Sequence, residues 1–228
     1  MKYQEPAFVQ EALRAAILQM DETASTFGQQ FKTTYTTRQF YTARPNDDWT
    51  DGFCTGMYWL AWEHTQNEAF KQAALLQVDS FLQRIIDRVV VDHHDMGFLY
   101  TPSCVAAWRL AGSATGRKAA LMAADNLLGR FQEKGQVIQA WGPVGKPEEY
   151  RLIIDCLMNL PLLYWAAEET GKEIYREKAQ AHTRTALRHL VRPDFSTYHT
   201  FYFDPKTGAP VKGVTAQGFR DGSAWALG

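Results

Sequence analysis

Two short segments hold the residues of this chain best suited to proton chemistry. His93-His94-Asp95-Met96-Gly97-Phe98 sets a carboxylate beside two imidazoles. Arg151-Leu152-Ile153-Ile154-Asp155-Cys156-Leu157-Met158-Asn159-Leu160 sets a second carboxylate inside an apolar run that reads as helix. A carboxylate among apolar side chains is costly unless it is paired, hydrogen-bonded or used, because burial disfavours its charged form. Two of them suggest an acid/base pair. For Asp95 the competing reading is a loop residue that caps the following helix. Asp155, within a helical apolar run, sits where a carboxylate is rare without a role.

Other chemistries find less support. Cys54, Cys104 and Cys156 are odd in number and widely spaced, with no CxxC, which argues against a disulfide framework and a structural zinc site. His93, His94 and His199 lack HExxH or a similar ligand spacing, so neither a metal nor a cofactor is expected. His64, His182 and His189 read as solvated or capping residues. A formal net charge of -1 with 21% charged residues gives no global field for nucleic acid or an anionic membrane. No segment approaches the ~20 apolar residues of a membrane span, and the N-terminus has no apolar signal core. The expectation is a soluble cytoplasmic protein. Seven Trp, ten Tyr and thirteen Phe make an aromatic-rich chain, and part of that is core. Flat aromatic faces also suit the apolar faces of sugar rings.

The elements that must position these groups are mostly helical. A helix opens after Pro6, with Phe8, Ala12, Ala15, Ala16 and Met20 at three- and four-residue steps. Residues 32–50 read as irregular. Helices are expected over about 52–64 and 68–91, the second with Phe70, Ala74, Val78, Phe81, Ile85 and Ile86 inward. Further helices are expected over about 98–112, 115–133, 150–170 and 172–191. Residues 196–213, β-branched and aromatic with an Asp204-Pro205-Lys206-Thr207-Gly208 turn, read as a short β-hairpin. A last helix opens near Asp221. Trp59-Leu60-Ala61-Trp62-Glu63-His64-Thr65 resembles Tyr164-Trp165-Ala166-Ala167-Glu168-Glu169-Thr170, with a weaker copy at Val105 to Ala111. In each, an apolar helix ends in a polar turn and an amphipathic helix follows. Such repeats build stacked helical hairpins, with Trp59, Trp62, Trp108 and Trp165 as core.

Trp49-Thr50-Asp51-Gly52-Phe53, Gly56-Met57-Tyr58-Trp59-Leu60, the HHDxGF block, Ile153-Ile154-Asp155-Cys156 and Thr197-Tyr198-His199-Thr200-Phe201-Tyr202 carry a resemblance. In order and spacing they are similar to glycoside hydrolase family 88, the unsaturated glucuronyl hydrolases, over nearly the whole chain. The HHDxGF and IIDC blocks are specific together and weak apart. The resemblance implies an all-α (α/α)6 barrel, a six-hairpin toroid, forming a single domain over 1–228. It implies removal of the 4,5-unsaturated uronic acid that polysaccharide lyases leave at the non-reducing end of oligosaccharides. Ordinary glycosidases flank an oxocarbenium ion with two carboxylates. Here the C4=C5 bond is hydrated instead: C4 is protonated, water adds at C5, and the hemiketal collapses to release the aglycone.

By position, the resemblance makes Asp155 the general acid/base and Asp95 the second functional carboxylate. It places Trp49 and Trp141 as aromatic linings, His199 and Gln217 as polar contacts and Trp225 near the same cleft, with His94 a further contact beside Asp95. Two positions depart from the family pattern. Cys54 stands where a bulkier aromatic is common, and Leu227 where an Arg helps hold the substrate carboxylate. Seven helices and the start of an eighth, against twelve, read as a toroid truncated at its C-terminus. Its unclosed edge is expected to expose apolar flanks and to favour self-association. The related unsaturated rhamnogalacturonyl hydrolases are the nearest alternative. A non-catalytic remnant that binds only sugar or a partner is the alternative from another class.

Overall fold

The chain reverses direction wherever an apolar helix meets a residue that tolerates a left-handed backbone. The computed structural model describes residues 7–215. Helix α1 (Ala7–Phe27) leads to a small antiparallel pair, β1 (Phe31–Lys32) and β2 (Ala43–Arg44). The first hairpin joins α2 (Asp51–Thr65) to α3 (Glu68–Ile86). Gln66, at φ 56°, ends α2, and the Asn67 side chain accepts the Ala69 N–H to open α3. The chain then forms α4 (Met96–Tyr100), a π turn (Thr101–Val105) and α5 (Ala106–Ala111). Gly112, at φ 65°, and a Ser113 cap turn it into α6 (Ala114–Leu128). Gly171, at φ 71°, separates α7 (Pro161–Thr170) from α8 (Ile174–Leu190). These three turns fall at the three sequence repeats, so each repeat is one helical hairpin.

The hairpins pack over a shared core that includes Tyr58, Trp59, Phe70, Phe81, Leu99 and Tyr100. Two of its polar atoms are paired with backbone: Trp59 Nε1 donates to the Ser103 carbonyl at 3.1 Å, and the Tyr100 hydroxyl to the Phe81 carbonyl at 3.1 Å. Close approach explains Gly52, where a Cβ would lie 2.1 Å from the Phe98 carbonyl oxygen. Trp62 and Trp108 pack partly buried against this core, and Trp165 is buried within it.

Several expectations are corrected. The helix expected over 98–112 is broken by the π turn, where Pro102 supplies no N–H and crowds the preceding turn. The α3 helix stops at Ile86 instead of 91, because Arg84 takes the Val89 and Val90 carbonyls with its own guanidinium. Ile86, expected inward, is exposed. The helix expected over 115–133 ends at Leu128, and a second small pair follows, β3 (Phe131–Gln132) with β4 (Val137–Ile138).

The largest difference lies at 150–170. There the chain forms β5 (Arg151–Ile153), a 3-10 turn (Ile154–Met158) and only then α7, with Pro161 in its first turn. The expected hairpin is present as β6 (Thr200–Phe203) and β7 (Pro210–Val214), and β5 pairs with β6 to make a three-stranded antiparallel sheet. A second small core of Val137, Tyr150, Leu152, Ala186, Leu190 and Phe203 lies beneath it. Asp155 therefore sits on the turn that leaves a sheet, not in a helix interior. The helix expected near Asp221 falls outside the described residues. No helix among the described residues is long and apolar enough to cross a membrane.

Candidate active site

A backbone ladder carries the chemistry-bearing residues to one place. His94 N–H donates to the Ala140 carbonyl at 2.7 Å, and Ala140 N–H to the Arg151 carbonyl at 3.0 Å. At the other end of β5, Ile154 N–H donates to the His199 carbonyl at 3.0 Å. Asp95, Asp155, His94, Trp49, Trp141 and His199 consequently line one cleft of roughly 330 Å³. Gln217 and Trp225, with Leu227, lie outside the described residues.

Asp95 and Asp155 meet at His94. The His94 ring is fully buried, with Nε2 at 3.2 Å from Asp95 Oδ1 and 3.4 Å from Asp155 Oδ1. Asp95 occupies the position before α4 but makes no side-chain cap, so the capping reading fails. Its other oxygen, Oδ2, lies 3.1 Å from His93 Nδ1.

The two carboxyls are driven apart. At Asp95, burial alone would raise the pKa, but the His93 hydrogen bond, the charges of His94 and His93 and the Asn159 amide outweigh it and hold the group below its ordinary value. At Asp155, burial and then the neighbouring Asp95 charge push the pKa up to about 6, against weaker backbone hydrogen bonds. The Asp155 side chain is 43% exposed to the cleft while its Oδ1 is buried and makes no hydrogen bond. Burial pushes His94 down to about 4, an effect that Asp95 only partly offsets, and so keeps it neutral. A pair of carboxyls separated in this way can hold one proton and one negative charge near neutral pH.

The aromatic walls are held from behind. Trp49, 47% exposed, packs against Phe53 and Phe98 with ring centroids 6.2 and 5.7 Å away. Trp141, 41% exposed, has the Arg151 guanidinium 4.6 Å from its ring centroid. The Trp141 loop is pinned by buried Gln139, which donates to the Trp141 and Pro143 carbonyls at 3.0 and 2.9 Å. Arg130 supports the same loop through the Gln139 and Gly142 carbonyls. His199 is nearly buried, with Nδ1 2.8 Å from Thr200 Oγ1.

Sequence reasoning missed the joint between the two carboxylate segments. Asn159 is buried, accepts the Phe98 N–H at 2.8 Å and reaches the Asp155 carbonyl at 3.5 Å. A Cβ on Gly97 would lie 2.2 Å from Asn159 Cα, so the glycine of the HHDxGF block lets the segments touch. The signal was available: an amide in an apolar run, four residues beyond Asp155. His182, expected to be solvated or capping, is fully buried in α8 and accepts the Ile138 N–H at 2.9 Å. Donor atoms of His94, Asp95 and Asp155 lie within 4.8 Å of one another, a set that could hold a cation in kind.

Residues 21–226 match the family described as Glycosyl Hydrolase Family 88. The chain is 49% identical over 220 residues to the unsaturated chondroitin disaccharide hydrolase of Streptococcus agalactiae serotype III (strain NEM316), covering 96% of this chain and 55% of that protein. It is 47% identical over 203 residues to the unsaturated glucuronyl hydrolase of Bacillus sp. (strain GL1), covering 89% and 54%. The crystal structure of the Streptococcus agalactiae unsaturated glucuronyl hydrolase superimposes with a TM-score of 0.93 at 47% identity, covering 98% of this chain and 56% of that one. The chain thus has the helical-toroid fold of that enzyme and spans about half the length of the relatives it matches.

Proposed function

The chain belongs to glycoside hydrolase family 88, and from that premise we propose that it carries the acid/base centre of an unsaturated uronyl hydrolase. The observation that carries the reading is the pair Asp95 and Asp155, gathered at one buried imidazole with their ionisation pushed in opposite directions. Protonated Asp155 gives its proton to C4 of the unsaturated uronic acid, and positive charge develops at C5 and the ring oxygen. Ionised Asp95 stabilises that charge. Asp155, now a carboxylate, takes a proton from water as its oxygen bonds to C5, and is thereby restored. The hemiketal then opens and the aglycone leaves as an alcohol. Trp49 and Trp141 flank the sugar and His199 contacts it.

The relatives, an unsaturated chondroitin disaccharide hydrolase and an unsaturated glucuronyl hydrolase, support the substrate class: a 4,5-unsaturated uronic acid at the non-reducing end of a glycosaminoglycan-type oligosaccharide, a step in polysaccharide degradation. Three free, buried cysteines fit a reducing cytoplasm. Large apolar residues stand exposed on α1 and α2, among them Leu18 and Leu60, which supports self-association along that edge.

The test is the ultraviolet absorbance of an unsaturated chondroitin disaccharide, because hydration removes the conjugated double bond. A decline with wild type, absent with Asp155→Asn, is expected. A flat trace from folded protein would sink the catalytic reading and leave a sugar-binding or partner-binding remnant. Sedimentation velocity tests the association: a concentration-dependent shift is expected, and a monomer at all concentrations refutes it.

A further inference from the structure

Behind the carboxylate pair lie two buried imidazoles whose hydrogen-bonding capacities complement each other. His182, on α8, accepts the Ile138 N–H at Nδ1, so that nitrogen carries no proton. Burial, with the nearby His94 charge, pushes its pKa down to about 3, so the ring is neutral and its proton sits on Nε2. That Nε2 is buried and makes no hydrogen bond among the described residues. His94 is the mirror case. Its Nε2 lies 3.2 and 3.4 Å from the Asp95 and Asp155 Oδ1 atoms without a hydrogen bond of good geometry to either, and the charge of Asp95 favours the proton of a neutral His94 on that nitrogen, leaving Nδ1 as a bare acceptor. His94 Nδ1 is likewise buried and without a hydrogen bond among the described residues.

The two rings reach the same stretch of backbone. Ile138 binds His182, and Ala140, two residues on, binds the His94 amide. One ring thus offers a buried donor and the other a buried acceptor, and leaving either unpaired is costly.

We propose that His182 is a positioning residue: its Nε2–H reaches His94 Nδ1 through one bridging water and locks His94 in the tautomer that presents Nε2–H to Asp95 and Asp155. The inference rests on the reading of those aspartates as the reacting pair. A fixed tautomer matters because an ionised carboxylate can only accept. A His94 turned to the Nδ1–H form would set a bare nitrogen against ionised Asp95 Oδ1, repelling it, and would offer protonated Asp155 an acceptor that competes for its proton. Asp95 would lose a donor that keeps it ionised, and the split between the two carboxyls would narrow.

Nitrogen-15 spectra of histidine-labelled protein at neutral pH read the tautomers without reference to turnover. His94 and His182 should both carry the proton on Nε2. In His182→Gln, the amide oxygen can accept the Ile138 N–H while its nitrogen donates onward, so the His94 tautomer and kcat should survive. In His182→Leu, His94 should populate the Nδ1–H form, and kcat on an unsaturated uronide should fall about tenfold at nearly constant KM, the loss of one hydrogen bond. An Nδ1–H His94 in wild type overturns the proposal, as does an unchanged His94 tautomer in His182→Leu. Should His182→Leu fail to fold, the wild-type spectrum and a His182→Gln that alters the His94 tautomer still decide against it. If wild type turns over no unsaturated uronide, the functional reading fails on its own, and the spectra continue to test the His182–His94 pair.

Discussion

Asp51 and Asp155 are both pushed up to about 6 by burial, yet the regions around them are built for opposite ends. Asp51 opens α2 with both oxygens engaged. Arg44 Nη2 bonds Oδ1, the Asp48 N–H donates to Oδ2 at 2.9 Å, and Arg84 Nη1 lies 3.6 Å away. Arg84 also binds Asn46 Oδ1 and the carbonyls of Asp48, Val89 and Val90, tying the loop before α2 to the loop after α3. Asp155 has a buried Oδ1 without a hydrogen bond, and the rest of its side chain faces the cleft. A displaced ionisation therefore does not by itself mark chemistry. Unused hydrogen-bonding capacity facing a cleft does. The first region holds two walls together, and the second has something left to donate.

Exchanging each aspartate for asparagine should separate these roles most clearly. Asp155→Asn is expected to lower kcat by about 10³-fold or more, the upper range for a lost general acid/base, with the melting curve nearly unchanged. Asp51→Asn should do the reverse. It sets an amide NH2 against one of the two donors that Asp51 accepts, Arg44 Nη2 or the Asp48 N–H, and should cost about 1–3 kcal/mol of stability, the scale of a buried donor left without its acceptor. Activity per folded molecule should persist. Denaturant melts beside turnover measurements check both, and a stable Asp51→Asn or an active Asp155→Asn would each erase the contrast.

The pH profile sharpens it further. The proposed acid is Asp155-COOH, so kcat/KM should fall as pH rises through about 6. The proposed anion is Asp95, so activity should also fall as pH drops through the Asp95 pKa, below the ordinary carboxylate range. Asp95→Asn should lower kcat by about 10²-fold. Because the Asp95 charge raises the Asp155 pKa, its removal should also move the alkaline limb of the residual activity to lower pH. A limb that moves upward, or stays in place, would show that the two carboxyls are not coupled.

The hairpins were legible because their turns are local: Gln66, Gly112 and Gly171 follow apolar helices at repeated positions. The two carboxylates were legible because charge in an apolar run is conspicuous. The sheet was not. Pairs such as β3 with β4 are only two residues long, and the β-branched Ile153-Ile154 was outweighed by the apolar length around it. Its pairing partner, β6, lies some fifty residues away, beyond any window of periodicity. His182 escapes a sequence reading because α8, rich in Arg, Lys, Glu and Gln, looks solvated all round. Yet Tyr175, Ala179, His182 and Ala186 are all buried at steps of four, three and four, the inward stripe of that helix. The partners of a buried polar group come from tertiary structure, and sequence supplies only the stripe.

Asn159 offers the smallest and most local test of the same contrast, because it serves the reacting region as Arg84 serves the structural one. Its Oδ1 holds the Phe98 amide in the first turn of α4, and its backbone fills the space left by Gly97. Asn159→Ala removes the side-chain link and keeps the backbone contact. The Phe98 N–H then loses its acceptor, which should cost about 1–3 kcal/mol of stability. Asp95 loses one of the groups that hold its pKa down, so the acid limb of the profile should move upward. The alkaline limb should stay in place, since Asn159 is not among the causes of the Asp155 shift. A purely structural joint would lower stability and leave both limbs where they were. Movement of the acid limb alone would mark Asn159 as the residue through which the second segment tunes the first.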